Sequence, residues 1–336
     1  MKNRLSWIVA VAVAASPGAL DAQGLSSPKC AGGAPGSVTL IAQDACQQAY
    51  DVYQLLAPQL GLALAGGNAT AGGGSVLGGL GHFSVGIRAN VLGGLLPDPS
   101  ANGFAQSTTG AQQRTLPTQN APFGLPTADA AIGLFKGFPL SLTNIFGVDA
   151  LVSAEYVPTI NKEKFSLDPS SNWRFGFGAR IGLLSESIAF PGVSFTWIER
   201  DLPTVDVTAL SGTNNSNVLG ISNMQVKTHA WRIVASKNLS AFSLVAGAGR
   251  DAYDQSATMK GTVTQVGVTG SESVDATQTL NRTNIFGDLA INVKLLKVVF
   301  EVGDATGGSV ATYNSFSGGR ADRSLLYGSL GLRLSR

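Results

Sequence analysis

Charge is scarce in this chain. Asp, Glu, Lys and Arg make up 13% of its 336 residues, about half the roughly 25% of a typical soluble domain. Cysteine and histidine are scarcer still, with two of each. Two thiols without a nearby imidazole make an incomplete zinc site, so no metal and no cofactor is expected. The net charge of +2 is too small to draw nucleic acid. Beyond the N-terminus no run of about 20 apolar residues occurs, which excludes a helical membrane span. Yet 44% of the residues are hydrophobic and mean hydropathy is +0.18. A charge-poor chain without long apolar runs has to carry its apolarity in alternation. What it does have in quantity is glycine, 42 residues of it.

The alternation is clearest between Asn144 and Leu184. Phe146, Val148, Ala150, Val152, Ala154 and Tyr156 fall on one side; Gly147, Asp149, Leu151, Ser153 and Glu155 fall on the other. After a polar interruption, Trp173, Phe175, Phe177, Ala179, Ile181 and Leu183 oppose Arg174, Gly176, Gly178, Arg180, Gly182 and Leu184. A period of two marks strands. The apolar side of the first begins and ends in aromatics about ten residues apart, the length of a strand crossing a bilayer between two aromatic girdles.

Ten strand candidates follow this rule: 82–92, 127–137, 146–156, 173–184, 192–202, 223–236, 241–253, 284–294, 296–304 and 324–335. The connections alternate long and short to the end. Outer-membrane barrels show that asymmetry, with short periplasmic turns, long external loops, an even strand count and both termini inside. Ten strands with a periplasmic N-terminus satisfy it. Twelve would follow if 93–126 or 255–282 hid another hairpin, such as 261–270. A soluble sandwich would also show many short strands, but not the alternating connections or the aromatic ends.

Ahead of the strands, residues 1–22 read as a signal peptide: Lys2 and Arg4, a short apolar core from Trp7 to Ala15, and a small-residue cleavage site at Ala22. Cys30 and Cys46 are expected to form a disulfide in an exported chain. A helix is expected over 41–57, with Ala45, Ala49, Val52, Tyr53 and Leu56 at helical spacing and Pro58 as its stop. Residues 61–81 are too glycine-rich to promise regular structure. The segment 23–81 either plugs the barrel or caps its periplasmic end; 82–336 forms the barrel.

The polar strand face predicts the lumen lining. Its charged members are Arg88, Asp149, Glu155, Arg174, Arg180, Arg232, Asp288, Glu301 and Arg333, with Asn90, Asn292, Lys297 and Tyr327 beside them. The signs are mixed, so the lining is expected to pair across the lumen rather than to form a one-sign selectivity ring. Lumen glycines, among them Gly176, Gly178, Gly247 and Gly249, would make room for the N-terminal segment or a ligand. The aromatic girdle is assigned to Phe146 at the periplasmic rim, to Tyr156, Trp173 and Trp231 at the outer one, and to Trp197.

These features together resemble the bacterial outer-membrane β-barrel class: all-β, antiparallel and up-and-down. The stretch LGLALAGGNATAGGG at 60–74 is similar to the N-terminal hatch of fatty-acid transporter barrels, although the Asn-Pro-Ala-Gly segment of that family is absent. His82 and Ser84 resemble the His-x-Ser pair of outer-membrane lipid A deacylases. There the pair faces lipid; here Phe83, Val85 and Ile87 claim that face and the pair sits at the periplasmic end, so no enzyme is expected. The final aromatic of many such barrels is also missing from Leu332-Arg333-Leu334-Ser335-Arg336. The resemblance implies a monomer in outer-membrane lipid that passes a small or hydrophobic solute. Its alternative is a structural barrel whose long external loops bind partners.

Overall fold

The computed structural model describes residues 26–30, 37–98, 101, 104–211 and 217–336. The expected signal peptide at 1–22 lies outside these. Ten strands form the wall: β1 Phe83–Pro97, β2 Thr118–Phe135, β3 Gly147–Tyr156, β4 Trp173–Leu184, β5 Gly192–Asp201, β6 Asn217–Asn238, β7 Phe242–Gln265, β8 Val268–Val293, β9 Leu296–Thr306 and β10 Leu325–Ser335. Each is antiparallel to the next, β5 joins β6 directly, and β10 returns to β1 from Ser84–Ser335 to Leu92–Tyr327. The result is a closed up-and-down ring of ten.

The two strands of the 255–282 region are extensions, not an added hairpin. β7 and β8 stay in register from Phe242–Ile291 to a two-residue turn between Gln265 and Val268. The ring therefore holds ten strands, not twelve. The early end expected for β7 has a physical cause. Near the termini its outward residues Phe242 and Leu244 are exposed and apolar, while Ser243 is buried. From Arg250 onward the outward positions are polar, and Tyr253, Ala257, Met259 and Val263 are buried inside. The period of two continues, but its faces exchange polarity. β8 does the same: Ile285, Leu289 and Ile291 are exposed below, and Ala276 and Leu280 are buried above. Below the exchange the wall has the polarity of a lipid-facing barrel; above it the wall encloses an ordinary apolar core.

The long loops extend that upper part. Val205–Ser211 pairs with β6, Phe165–Pro169 pairs with Val205–Ser211, and Ile160–Lys162 forms the edge. Short links and both ends of the ring lie together at the opposite end. The two-residue link Lys294–Leu295 is the tightest of them.

Among the described residues a single helix, α1, spans Ser37–Ala65, about 43 Å at 1.5 Å per residue. It begins at the loop end. There a Cβ on Gly261 would strike the backbone of Ala42 and Cys46, and one on Gly270 would strike Val38. Ser26 donates to the Thr312 carbonyl between β9 and β10. Residues 26–30 and 37–65 thus sit among the loops, and the helix descends into the ring. Cys30 and Cys46 are joined in a disulfide beside the helix start.

Pro58 does not stop the helix. A proline removes one amide and crowds the preceding turn, freeing carbonyls. Side chains brace the carbonyls beside it: Gln59 Nε2 donates to the Leu55 carbonyl at 2.8 Å, and Gln255 Nε2 to that of Ala57. Gln59 also bonds both the N–H and the C=O of Leu95 in β1. The helix is buried nearly all round, so packing sustains it past a residue that would end a solvated helix.

Candidate functional site

The candidate site is the junction between the lower end of α1 and the lumen wall. The last carbonyls of a helix lack intrahelical partners and carry the negative end of its dipole. Here inward side chains meet them. Arg200 Nη1 reaches the Leu64 carbonyl at 3.4 Å and Arg232 Nη2 that of Ala65 at 3.0 Å. Arg88 Nη1 and Asn90 Nδ2 both donate to the Gly66 carbonyl at 2.8 Å. β1 on one side of the ring and the neighbouring pair β5 and β6 on another thus close on one helix end.

Each clamp arginine is itself neutralised. Arg88 pairs with Asp129 at 2.5 Å. Arg200 pairs with Glu155 at 3.0 Å and Asp129 at 3.3 Å. Arg232 pairs with Asp251, which also accepts from Asn284 and from the Tyr253 hydroxyl. All three arginines are at most 5% exposed. Burial makes a lone charge costly and an ion-paired one tolerable, although Arg88 Nη2 and Arg232 Nε stay buried without a hydrogen-bond partner.

Below the clamp, residues 66–81 run to the short-link end and are also held by their backbone. Glu301 accepts from the Asn68 amide at 2.8 Å, and Asp288 accepts from Asn68 Nδ2 at 3.0 Å and from the Gly72 amide at 3.1 Å. Arg333 Nη1 donates to the carbonyls of Thr70 and Ala71 at 2.9 and 3.1 Å. Asp149, bonded to Arg180, accepts from the Leu77 amide at 3.2 Å. The glycine run follows from this fit. Gly67 (φ +86) has Arg88 and Asn90 where a Cβ would go, and Gly72 (φ +69) has Ala290 and Val299 within 3 Å.

Above the clamp, buried carboxylates on α1 tie down the loops. Asp44 accepts from the amides of Ser107 and Gln112 and pairs with Arg114 at 2.8 Å. Asp51 accepts from the Tyr313 and Asn314 amides and from Asn314 Nδ2. Burial outweighs these donors and lifts the Asp51 carboxyl to about 6; it raises Asp44 as well.

The sequence-derived lining residues fall into two groups. Arg88, Asp149, Glu155, Arg180, Arg232, Asp288, Glu301 and Arg333 are buried inside the ring. Arg174 is not: it lies opposite Glu155 at the outer end of β4 and is exposed. Asp129, Arg200, Asp251, Arg282 and Asn284 belong to the interior and were missed. Arg200 and Asp251 share the inward parity of Ile198 and Ser243, so alternation alone could have found them. Of the girdle residues, Tyr156 and Trp173 face each other across strands with ring centroids 5.1 Å apart. Trp197 lies opposite Trp231, which stacks on Phe195 at 6.3 Å. Phe146 is exposed at the short-link end. Ser84 is buried inside the wall, and His82 is exposed beside the short-link mouth. His229 lies on the outer surface, 3.5 Å from Glu199 and from Asp254.

No family model matches the chain, and no curated protein matches it in sequence. Among solved structures, the transport unit of the autotransporter AIDA-I from Escherichia coli aligns over 87% of this chain and 99% of its own, at 8% identity and a TM-score of 0.28. The TodX monoaromatic hydrocarbon channel (a ΔS2S3 mutant) aligns over 76% and 90%, at 9% identity and 0.26. The outer membrane channel DcaP of Acinetobacter baumannii aligns over 79% and 99%, at 8% identity and 0.17. Likenesses of this size assign neither activity nor cargo.

Proposed function

We propose that the chain is a monomeric outer-membrane barrel whose lumen is closed by its own N-terminal segment, and that it passes a small or hydrophobic solute passively when that segment shifts. The polarity exchange along β7 and β8 supports the membrane placement: apolar outside over the lower ring, polar outside above. In that placement the short links face the periplasm and the long loops the exterior. The observation that carries the gating is the way the segment is held. The wall grips residues 64–77 almost wholly through backbone carbonyls and amides, by bonds that can break and reform without refolding the ring. The role requires no covalent chemistry. An apolar inner face above the clamp, with Leu219, Ile221, Met224 and Met259 buried there, favours an apolar solute over an ion at the outer entrance.

Conductance in planar bilayers tests this. The wild-type chain is expected to stay closed, and the Arg88→Gln/Arg232→Gln variant to show discrete openings. A bilayer that stays silent for both proteins, each inserted, would remove the transport reading. The upper sheet favours a second one. β7 and β8 run past the polarity exchange by more than ten residues each, and outward Lys260, Thr262 and Ser273 are available to a partner. Loss of binding to a surface partner on trimming that hairpin, in a permanently silent barrel, would support a structural role instead.

A further inference from the structure

Most inward cations of the lower ring have a carboxylate partner, and two adjacent ones do not. Arg88, Arg180, Arg200 and Arg232 all form ion pairs. Lys297 and Arg333 form none among the described residues. They are cross-strand neighbours in the β9–β10 register and both point inward. Arg333 is 7% exposed. Its Nη1 is taken by the Thr70 and Ala71 carbonyls, and its Nε is buried with no partner. Lys297 Nζ reaches only the Gly72 carbonyl and Ser243 Oγ, each at 3.4 Å. Two cations side by side repel each other, and neither has a carboxylate within ion-pair distance among the described residues.

They border a pocket of about 200 Å³ at the short-link mouth, with Arg336 and the hydroxyl-bearing Ser75, Ser236 and Ser243 around it. Two acids lie nearby, Glu186 toward Lys297 and Asp149 toward Arg333. Glu186 accepts from the Asn238 amide, and Asp149 is bound by Arg180. The pocket therefore offers the Lys297 ammonium, the Arg333 and Arg336 guanidiniums and hydroxyls from several directions, with one acid at its edge. A tetrahedral oxyanion suits that donor set better than a planar one, since it accepts along several axes. The volume admits a phosphate group with a few waters.

We propose that this mouth is a binding site for a phosphate group, carried either by free phosphate or by a phospholipid headgroup. Because Lys297 and Arg333 also hold the carbonyls of residues 70–72, the anion would sit between wall and plug and fasten one to the other. The site stands independently of solute passage.

Inorganic phosphate is titrated into the refolded full chain in zwitterionic detergent at low salt, by calorimetry and by thermal unfolding. In parallel, the chain is placed in phosphatidylglycerol and in phosphatidylcholine vesicles and headgroup binding is followed by phosphorus NMR. The expected result is saturable phosphate binding with a rise in Tm, weakened at least tenfold by Lys297→Gln and unchanged by Lys260→Gln on the far outer surface. Arg336→Gln, at the exposed chain end, serves if Lys297→Gln does not fold. Headgroup binding in phosphatidylglycerol alone, lost in the same variants, would support the site and name lipid as its source. No saturable binding in either arm, or folded Lys297→Gln and Arg336→Gln both binding like wild type, would overturn the proposal.

Discussion

The buried arginines carry the account at the scale of single residues. Arg200 touches Glu155, Asp129, Ser153 and the end of α1. Arg200→Gln strands Glu155 without its cation, and breaking a buried pair costs about 3–5 kcal/mol. Urea unfolding should show that loss, whereas Arg174→Gln, at an exposed rim position, should stay within about 0.5 kcal/mol of wild type. Equal effects would mean that the lumen is wetter than its contacts imply. The tip of the β7–β8 hairpin offers the opposite sign. Val266 (φ 48) and Gly267 (φ 79) form its two-residue turn, a geometry that favours Asn-Gly and penalises a β-branched residue. Val266 is fully exposed, so Val266→Asn should stabilise the hairpin by about 0.5–1 kcal/mol, read as slower amide exchange at its tip.

Among the elements, the strands were legible and the helix only partly so. Alternation located all ten strands because lipid outside and polar lumen inside impose a period of two on every one of them. It lost β6, β7 and β8 where the faces exchange polarity, since a search for apolar-outward residues ends there. α1 was cut short because Pro58 reads as a terminator in any solvated helix; the bonds of Gln59 and Gln255 to the carbonyls beside it are visible only in three dimensions. The clamp was legible in its charges but not in its purpose. Nothing in the spacing of Arg88, Arg200 and Arg232 says that they converge on one helix end. At this scale α1 also fastens the external loops, and that fastening should depend on pH. Asp51 titrates near 6 in place and near 4 when freed. The folded state therefore holds the proton more tightly, so this contact contributes most below about pH 4 and loses strength as pH rises through about 6. Thermal unfolding of the wild type should show that trend, and Asp51→Asn should flatten it.

For the whole molecule, a narrow ring and a long insert explain each other. A ten-strand barrel has an interior near the size that side chains alone can fill, yet this one admits a helix. It does so by lining itself with small residues and by letting helix and wall touch at glycines: Gly61 lies on the Tyr253 ring, and Gly261 lies on the α1 backbone. Gly61→Val is expected to lower Tm by several degrees while leaving heat modifiability on gels intact, since it strikes the insert and not the ring. The insert enters from the loop side, so the disulfide between Cys30 and Cys46 lies toward the outer end in the proposed orientation, buried beneath the surface.

Amide hydrogen exchange of the refolded chain, resolved along residues 37–81, tests the central claim most directly. If α1 and the segment after it fill the lumen and are clamped by Arg88, Arg200 and Arg232, residues 45–72 should exchange as slowly as the paired cores of β7 and β8. Exchange at the rate of a free tail across that stretch, with the ring still protected, would contradict it.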